Sequence, residues 1–436
     1  VHLSENSLPV LHYQKLLRMK KFNFINNITG WVVFAIATVV YILTVEETAS
    51  FWDCGEFIAV SYKLMVPHPP GAPFFLLMGR FFSMFAPDVE SVSFFINLLS
   101  VFASSFSILF LFWTIVLFGK KIVKPTIQEG NLYSQAQTIA LMGAGVVGAL
   151  AYTFSDSFWF SAGEAEVYGL SSFFTAFVIW AILKWDVIED ERVANKWIIL
   201  TAYMMGLSIG VHLLNLTTIP ALALLYYFKK NKKPTATGII VSLAIGLLMV
   251  GIIMVGVIPG LPSIAGSFEI FFVNSLGMPF NSGFIFFMAA FIGALVYGIY
   301  YSHKERKEVL NLVLVCFGFI LIGYSTYGIV PIRSNANPPI DENDPENLIS
   351  FVSYLKREQY GDRPLLFGPH LLAERDQQAE KQRAADGDKG MPMYRQNQDK
   401  GEYEIYDYRQ KPLYKKKDKM LLPRIYSTQP GHDGLY

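Results

Sequence analysis

The sequence predicts an all-α polytopic membrane protein with about nine transmembrane helices and a polar extracytoplasmic tail. Three observations carry this. Only 16% of the 436 residues are charged while 53% are hydrophobic, against roughly 25% charged in ordinary soluble domains. The apolar residues come in blocks that suit the hydrocarbon core, which a helix crosses with about 20 of them. The charges are also segregated, because residues 1–330 hold 37 of the 71 charged side chains and the last 106 residues hold the other 34. A net charge of +1 gives no ground for a nucleic-acid partner. Cys54 and Cys316, the two cysteines, are too few for a disulfide framework or a cysteine-based zinc site.

In chain order, a cytoplasmic segment (1–27) precedes a transmembrane domain (28–330) and a tail (331–436) that reads as a truncated domain. Nine apolar blocks are spans: 28–45, 92–118, 136–154, 168–183, 197–211, 213–228, 238–258, 283–301 and 308–329. The fifth and sixth are short and nearly continuous through His212 to Asn215. No cleavable signal is read into the first, since acidic residues follow it rather than a small-residue cleavage site. With the N-terminus inside, the inner segments hold seventeen Lys and Arg and the outer loops before residue 330 hold two, Lys63 and Arg80. That asymmetry is a strong positive-inside signal and puts the tail outside. The outer loops then carry ten acids, among them Glu46, Asp53, Glu56, Asp156, Glu164, Glu166 and Glu269.

The tail opens as a Pro/Asn-rich connector and an amphipathic helix near 345–358, after which Leu, Ile, Val and Phe are too sparse to predict an independent core. The chain starts on Val1 rather than Met, stops at Gly434-Leu435-Tyr436, and offers Met19-Lys20-Lys21 as a natural start, so a piece of a longer chain is expected.

The first outer loop is the richest in chemistry. Segments 56–66 and 73–85 are apolar but too short to span, and read as interfacial helices. Pro67, Pro69, Pro70, Gly71 and Pro73 force a turn between them. Asp53 and Glu56 then lie three residues apart on one face, beside Phe51 and Trp52. They suit a general base or a divalent-cation ligand, or else a helix capping box. His68 is either a turn residue capping a carbonyl or a phosphate or acceptor contact. In the second outer loop Glu164 and Glu166 follow an aromatic belt, Phe158-Trp159-Phe160. They are solvated acids or part of a shared site. His212 is a turn group or a lining of the same cleft. Arg333, just outside the last span, either snorkels or meets a lipid phosphate bidentately. No GxxxxGK phosphate loop, HExxH or GxSxG is present.

Three runs together carry a resemblance. Ser50-Phe-Trp-Asp53-Cys-Gly55-Glu56-Phe, then His68-Pro-Pro-Gly71-Ala-Pro73, resemble a D-x-G-E and H-P-P-G-x-P signature, and Phe158-Trp159-Phe160 through Glu166-Val-Tyr168 resembles F-W-x-x-A-x-x-A-E-V-Y. They are similar to the family that includes the eukaryotic transmembrane protein 260 and long Bacteroidetes proteins, over roughly residues 20–365. The resemblance implies a GT-C-type glycosyltransferase that draws on a polyprenyl-phosphate-linked sugar and modifies a protein or glycan hydroxyl. Its setting is then a bacterial inner membrane, N-terminus cytoplasmic and tail periplasmic. On this reading Asp53 is the base and Glu56 its partner. His68, Glu164, Glu166, His212 and Arg333 contact substrate. No metal is required, although a divalent cation is compatible. The competing expectation is a multi-spanning transporter of a small polar or lipid-linked substrate, but the spans hold almost no charge at their middles and show no matched broken halves.

Overall fold

The computed structural model describes residues 7–126, 133–361, 364 and 366–423, with side chains from residue 20 onward. The ends read above as cuts, Val1 and Gly434 to Tyr436, lie outside the described residues, as do the side chains of Lys15 and Arg18. Helices dominate, and among the described residues seven helical segments are long and apolar enough to cross a membrane. The protein is an all-α polytopic integral membrane protein with a small sheet tail.

The order begins with α1 (Ser7–Leu43), α2 (Cys54–Lys63), α3 (Pro73–Ser83) and α4 (Val92–Ile122). It continues through α5 (Gln135–Thr153), α6 (Asp156–Ala162), α7 (Val167–Val187), α8 (Glu191–Ile209), a 3-10 turn at Leu213–Thr218 and α9 (Ile219–Lys230). A helical stretch from Ala236 to Ser275 follows, comprising α10 (Ala236–Gly251), a π segment, α11 (Leu261–Ile270) and a second π turn. Pro259, inside the first π segment, has no N–H to donate, which loosens the ladder there. Then come α12 (Ser282–Lys304), α13 (Glu308–Tyr324) and α14 (Ile329–Ser334).

The predicted fifth and sixth spans are present as α8 and α9 but fall short of membrane-crossing character. Glu191, Arg192 and Lys196 occupy the first turns of α8, and α9 has only 12 residues.

The chain divides into two compact units: residues up to Gly256 with Gly293–Glu342, and Val257–Ile292 with the residues from Asn343 on. In the first, α4 is the hub, packed against α1, α3, α5 and α7. Its buried Ser100, Ser104 and Ser107 keep the surface small enough for close helix approach. The tightest crossing joins α8 and α13. A Cβ on Gly206 would sit 2.3 Å from the Ile320 carbonyl oxygen, and one on Gly323 would sit 2.4 Å from the Leu207 nitrogen. At the loop end of this unit, Phe57 and Val60 of α2, Phe75 and Leu76 of α3, Ile96 and Leu99 of α4, and Leu170 and Phe174 of α7 form one buried cluster. Each such side chain contributes about 1.5–3 kcal/mol by leaving water, so α2 and α3 are held flat against the bundle by their own apolar faces.

In the second unit α11 packs against α15 (Leu348–Leu355), the helix expected near 345–358. Beyond it lie α16 (Gln377–Ala385) and two antiparallel pairs, β1 (Phe367–Pro369) with β4 (Lys419–Leu421) and β2 (Met391–Asn397) with β3 (Glu402–Arg409). Glu269, read above as an outer-loop acid, lies within α11 and is fully buried. Its carboxylate accepts the N–H groups of Asn281 and Phe284 at 2.6 and 3.0 Å, and the Tyr403 hydroxyl donates to it at 3.3 Å. A helix start that would otherwise leave orphan N–H groups claims it.

Candidate active site

The site is assembled at the start of α2. Leu64, in the left-handed region at φ 48°, ends α2, and the proline-rich turn carries the chain back so that His68 meets the first turn of the same helix. Asp53 occupies the N-cap position but its side chain makes no cap hydrogen bond, and it is 55% exposed. Glu56, the other half of the supposed capping box, instead faces His68. Its Oε1 accepts the His68 backbone N–H and its Oε2 pairs with the ring Nδ1, both at 2.7 Å. His68 Nε2 then lies 3.8 Å from Asp53 Oδ2. Burial acts to raise the pKa of Glu56, but the two His68 hydrogen bonds and the His68 charge outweigh it and hold the carboxyl below its ordinary value. Asp53, Glu56 and His68 each present a ligand-type atom, all within 4.8 Å of one another, a grouping that among the described residues could hold a metal ion.

The second outer loop closes on the first through its backbone and its aromatic belt. Glu46 N–H donates to the Gly163 carbonyl at 3.0 Å, and Trp159 Nε1 donates to Thr44 Oγ1 at 2.8 Å. From α4, Asn97 Nδ2 donates to the carbonyls of Glu46 and Thr48 at 2.7 and 3.1 Å. Glu164 is thereby buried against Cys54, whose thiol donates to Oε2 at 3.6 Å, and it also takes a hydrogen bond from Ser50. Burial raises its pKa and, with the charge of Glu164, that of the Cys54 thiol. Glu166, 7% exposed, is the N-cap of α7 and accepts the Val167 N–H at 3.1 Å. Burial, helped by the negative charges of Asp53 and Glu164, pushes its pKa from 4.5 to about 7. Glu164 also lines a pocket of about 240 Å³, together with Thr44, Glu46, Asp156, Trp159, Phe160 and Gly163.

Four of the seven expected residues, Asp53, Glu56, His68 and Glu166, therefore act on one another, and Glu164 joins them through Cys54. His212 caps the 3-10 turn, its Nδ1 accepting the Leu214 N–H at 3.1 Å, with its ring 5.5 Å from that of Tyr168. That places it beside the start of α7. Arg333, expected to meet a lipid phosphate, donates from Nε to the Leu64 carbonyl at 2.6 Å and from an Nη to that of Lys63 at 3.3 Å. It therefore sits at the C-terminal end of α2, where unpaired carbonyls attract a cation.

Residues 340–342 run alongside Val66, with Val66 N–H donating to the Ile340 carbonyl and Glu342 N–H to the Val66 carbonyl. Tyr327 donates to the carbonyls of Ile209 and Gly71 at 3.3 and 3.5 Å. Cys54, Ser50 and this strap went unassigned in the sequence. The first two flank Asp53 inside the motif already quoted, while nothing local marks the third.

A multi-spanning membrane protein with an acidic cluster gathered by two loops on one face is the class that this fold and site define. Residues 53–235, which begin at Asp53 and include Glu56, His68, Glu164, Glu166 and His212, match the family model described as the protein O-mannosyl-transferase TMEM260 N-terminal domain. Over residues 53–235, less than half of the chain, the protein is thus similar to the TMEM260 family. It is 25% identical over 203 residues to the protein O-mannosyl-transferase tmem260 of Dictyostelium discoideum, which is 45% of this chain and 22% of that protein. It is 25% identical over 177 residues to the TMEM260 protein of Mus musculus, 41% of this chain and 22% of that one. The chain thus spans about a fifth of the length of these relatives. Residues 361–436 match a family of unknown function. No solved structure matches.

Proposed function

We propose that the chain is a GT-C-type glycosyltransferase that moves a sugar, mannose by analogy with its named relatives, from a polyprenyl phosphate to a Ser or Thr hydroxyl of a protein. The observation that carries this is the convergence of Asp53, Glu56 and His68 at the mouth of α2. The acceptor oxygen attacks the anomeric carbon as the bond from that carbon to the phosphate oxygen breaks. The phosphate leaves with the bonding electrons, and the hydroxyl proton passes to Asp53, giving inversion in one displacement. Glu56 fixes the His68 ring. Glu166, with its pKa near 7, stands behind Asp53 as a reserve carboxyl. Glu164 and His212 border the acceptor path, and Arg333 serves by holding the end of α2.

The reaction takes place on the outer face of a bacterial inner membrane, with the N-terminal segment cytoplasmic and the tail periplasmic. Seventeen inner bases against two outer ones support that orientation. The test is a transfer assay on purified protein with polyprenyl-phosphate sugars and a Ser/Thr-bearing acceptor, comparing wild type with Asp53→Asn. Transfer that depends on Asp53 is expected, and equal transfer by the variant overturns the reading.

A further inference from the structure

The two ends of α2 carry opposite charge. Asp53 and Glu56 stand at its N-terminal end. At its C-terminal end Arg80 donates to the Tyr62 carbonyl, Arg333 to those of Lys63 and Leu64, and the Lys63 ammonium lies 4.5 Å from the centre of the Tyr62 ring. These are the three bases that the sequence places near the outer surface ahead of the tail proper, and all three are committed there. A ten-residue helix separates its ends by about 15 Å. In an in-line displacement the reacting atoms lie about 3–3.5 Å apart, so a base on the acceptor hydroxyl stands within roughly 6–7 Å of the departing phosphate. The bases at the far end of α2 lie well beyond that reach. Among the described residues no Lys or Arg forms an ion pair with Asp53, Glu56, Glu164 or Glu166. An anionic donor would thus arrive at a site already rich in carboxylates.

We infer that Asp53 and His68 hold a divalent cation, with Glu56 behind His68, and that this ion bears the charge of the donor phosphate. The hydrogen bonds set the imidazole up for it. An ionised carboxylate only accepts, so the 2.7 Å contact to Glu56 puts a proton on Nδ1 and makes Nε2 the acceptor nitrogen of the neutral ring. This is the carboxylate–histidine–metal arrangement in which the second carboxylate fixes tautomer and ring angle. Two donors, each roughly 2.1 Å from one ion, stand about 3–4 Å apart, and Nε2 and Asp53 Oδ2 are 3.8 Å apart. Imidazole with carboxylate suits Mn²⁺, and two protein ligands leave open positions for water and phosphate oxygens. With the ion on Oδ2, Oδ1 of Asp53 remains for the acceptor proton. The ion's role rests on the proposed glycosyl transfer, while its binding does not.

The full chain, stripped with a chelator and titrated with Mn²⁺, tests both parts by electron paramagnetic resonance. One Mn²⁺ per chain is expected, with nitrogen modulation from an imidazole in the wild-type spectrum, a readout that needs no variant. His68→Ala and Asp53→Asn should abolish binding, Glu56→Gln should weaken it by about 10–100-fold, and Glu269→Gln should leave it unchanged. Absence of stoichiometric Mn²⁺, or an ion without nitrogen coupling, overturns the site. Transfer that persists at full rate in EDTA overturns the ion's role and leaves the glycosyl-transfer reading standing. A bound, nitrogen-coupled Mn²⁺ with no transfer from any donor supports the site and removes that reading.

Discussion

The two outer loops put the same chemical group in opposite settings. Glu56 of the first loop is partly buried and doubly bonded to His68, so its ionised form is favoured. Glu166 of the second loop is buried beside other carboxylates, with a single backbone N–H in return, and its neutral form persists to about pH 7. Residue type therefore decides little here, and partner supply decides the proton. The first loop offers a charged, water-facing pair for chemistry, and the second offers a protonatable wall behind it.

The largest effect should come from the water-facing side. Asp53→Asn is expected to lower the initial rate of transfer by about 10²–10⁴, the range a positioned base contributes, and a loss below tenfold would break the assignment. Glu56→Gln comes next. It keeps the shape but frees the His68 ring, and a fall of about 10–100-fold in the same assay is expected. Glu166→Gln should barely move the rate at pH 6, and its signature is pH dependence. Between about pH 4.5 and 7 the unfolded chain loses the Glu166 proton before the folded chain does. The unfolded state then binds fewer protons, so stability falls as pH rises through that window. The variant lacks this decline, and the gap in Tm between variant and wild type should widen from pH 4.5 to 7 and then stay level. Glu56 has the reverse sign, since its lowered pKa contributes stability above its unfolded pKa that is lost on acidification. The smallest effect belongs to Arg333→Gln, which removes charge-assisted bonds of about 1.5–3 kcal/mol. It should lower Tm while leaving the KM for the donor nearly unchanged. A large rise in that KM would instead support Arg333 as a phosphate ligand.

Local punctuation made the short helices legible. Segments 56–66 and 73–85 were expected, and Cys54–Lys63 and Pro73–Ser83 are found, because the prolines between them leave few other stopping points. Their acids were legible as acids but not as a cluster. The Glu56–His68 contact needs the turn to close over 12 residues, and Cys54 meets Glu164 across 110. Arg333 was legible as a cation just past the last span, but not as the partner of the Lys63 and Leu64 carbonyls, because a lone cation looks the same whether a phosphate or a helix end takes it. The strands β2 and β3 escaped because counting aliphatics says nothing about backbone pairing, nor about Tyr403, whose hydroxyl reaches Glu269. The charged first turns of α8 were visible in the sequence and bear on the fifth span, while the sixth falls to the 12-residue length of α9.

The strap that follows the last span has a consequence in time. Lys63 and Leu64 receive the hydrogen bonds of Arg333 about 270 residues later in the chain, and Val66 pairs later still, with residues 340–342. At 5–20 residues per second, the first loop emerges roughly 15–50 s before the partners that pin its turn are made. His68 lacks that support for the whole interval. The site is thus a late product of synthesis, finished only once the ribosome has passed the final span.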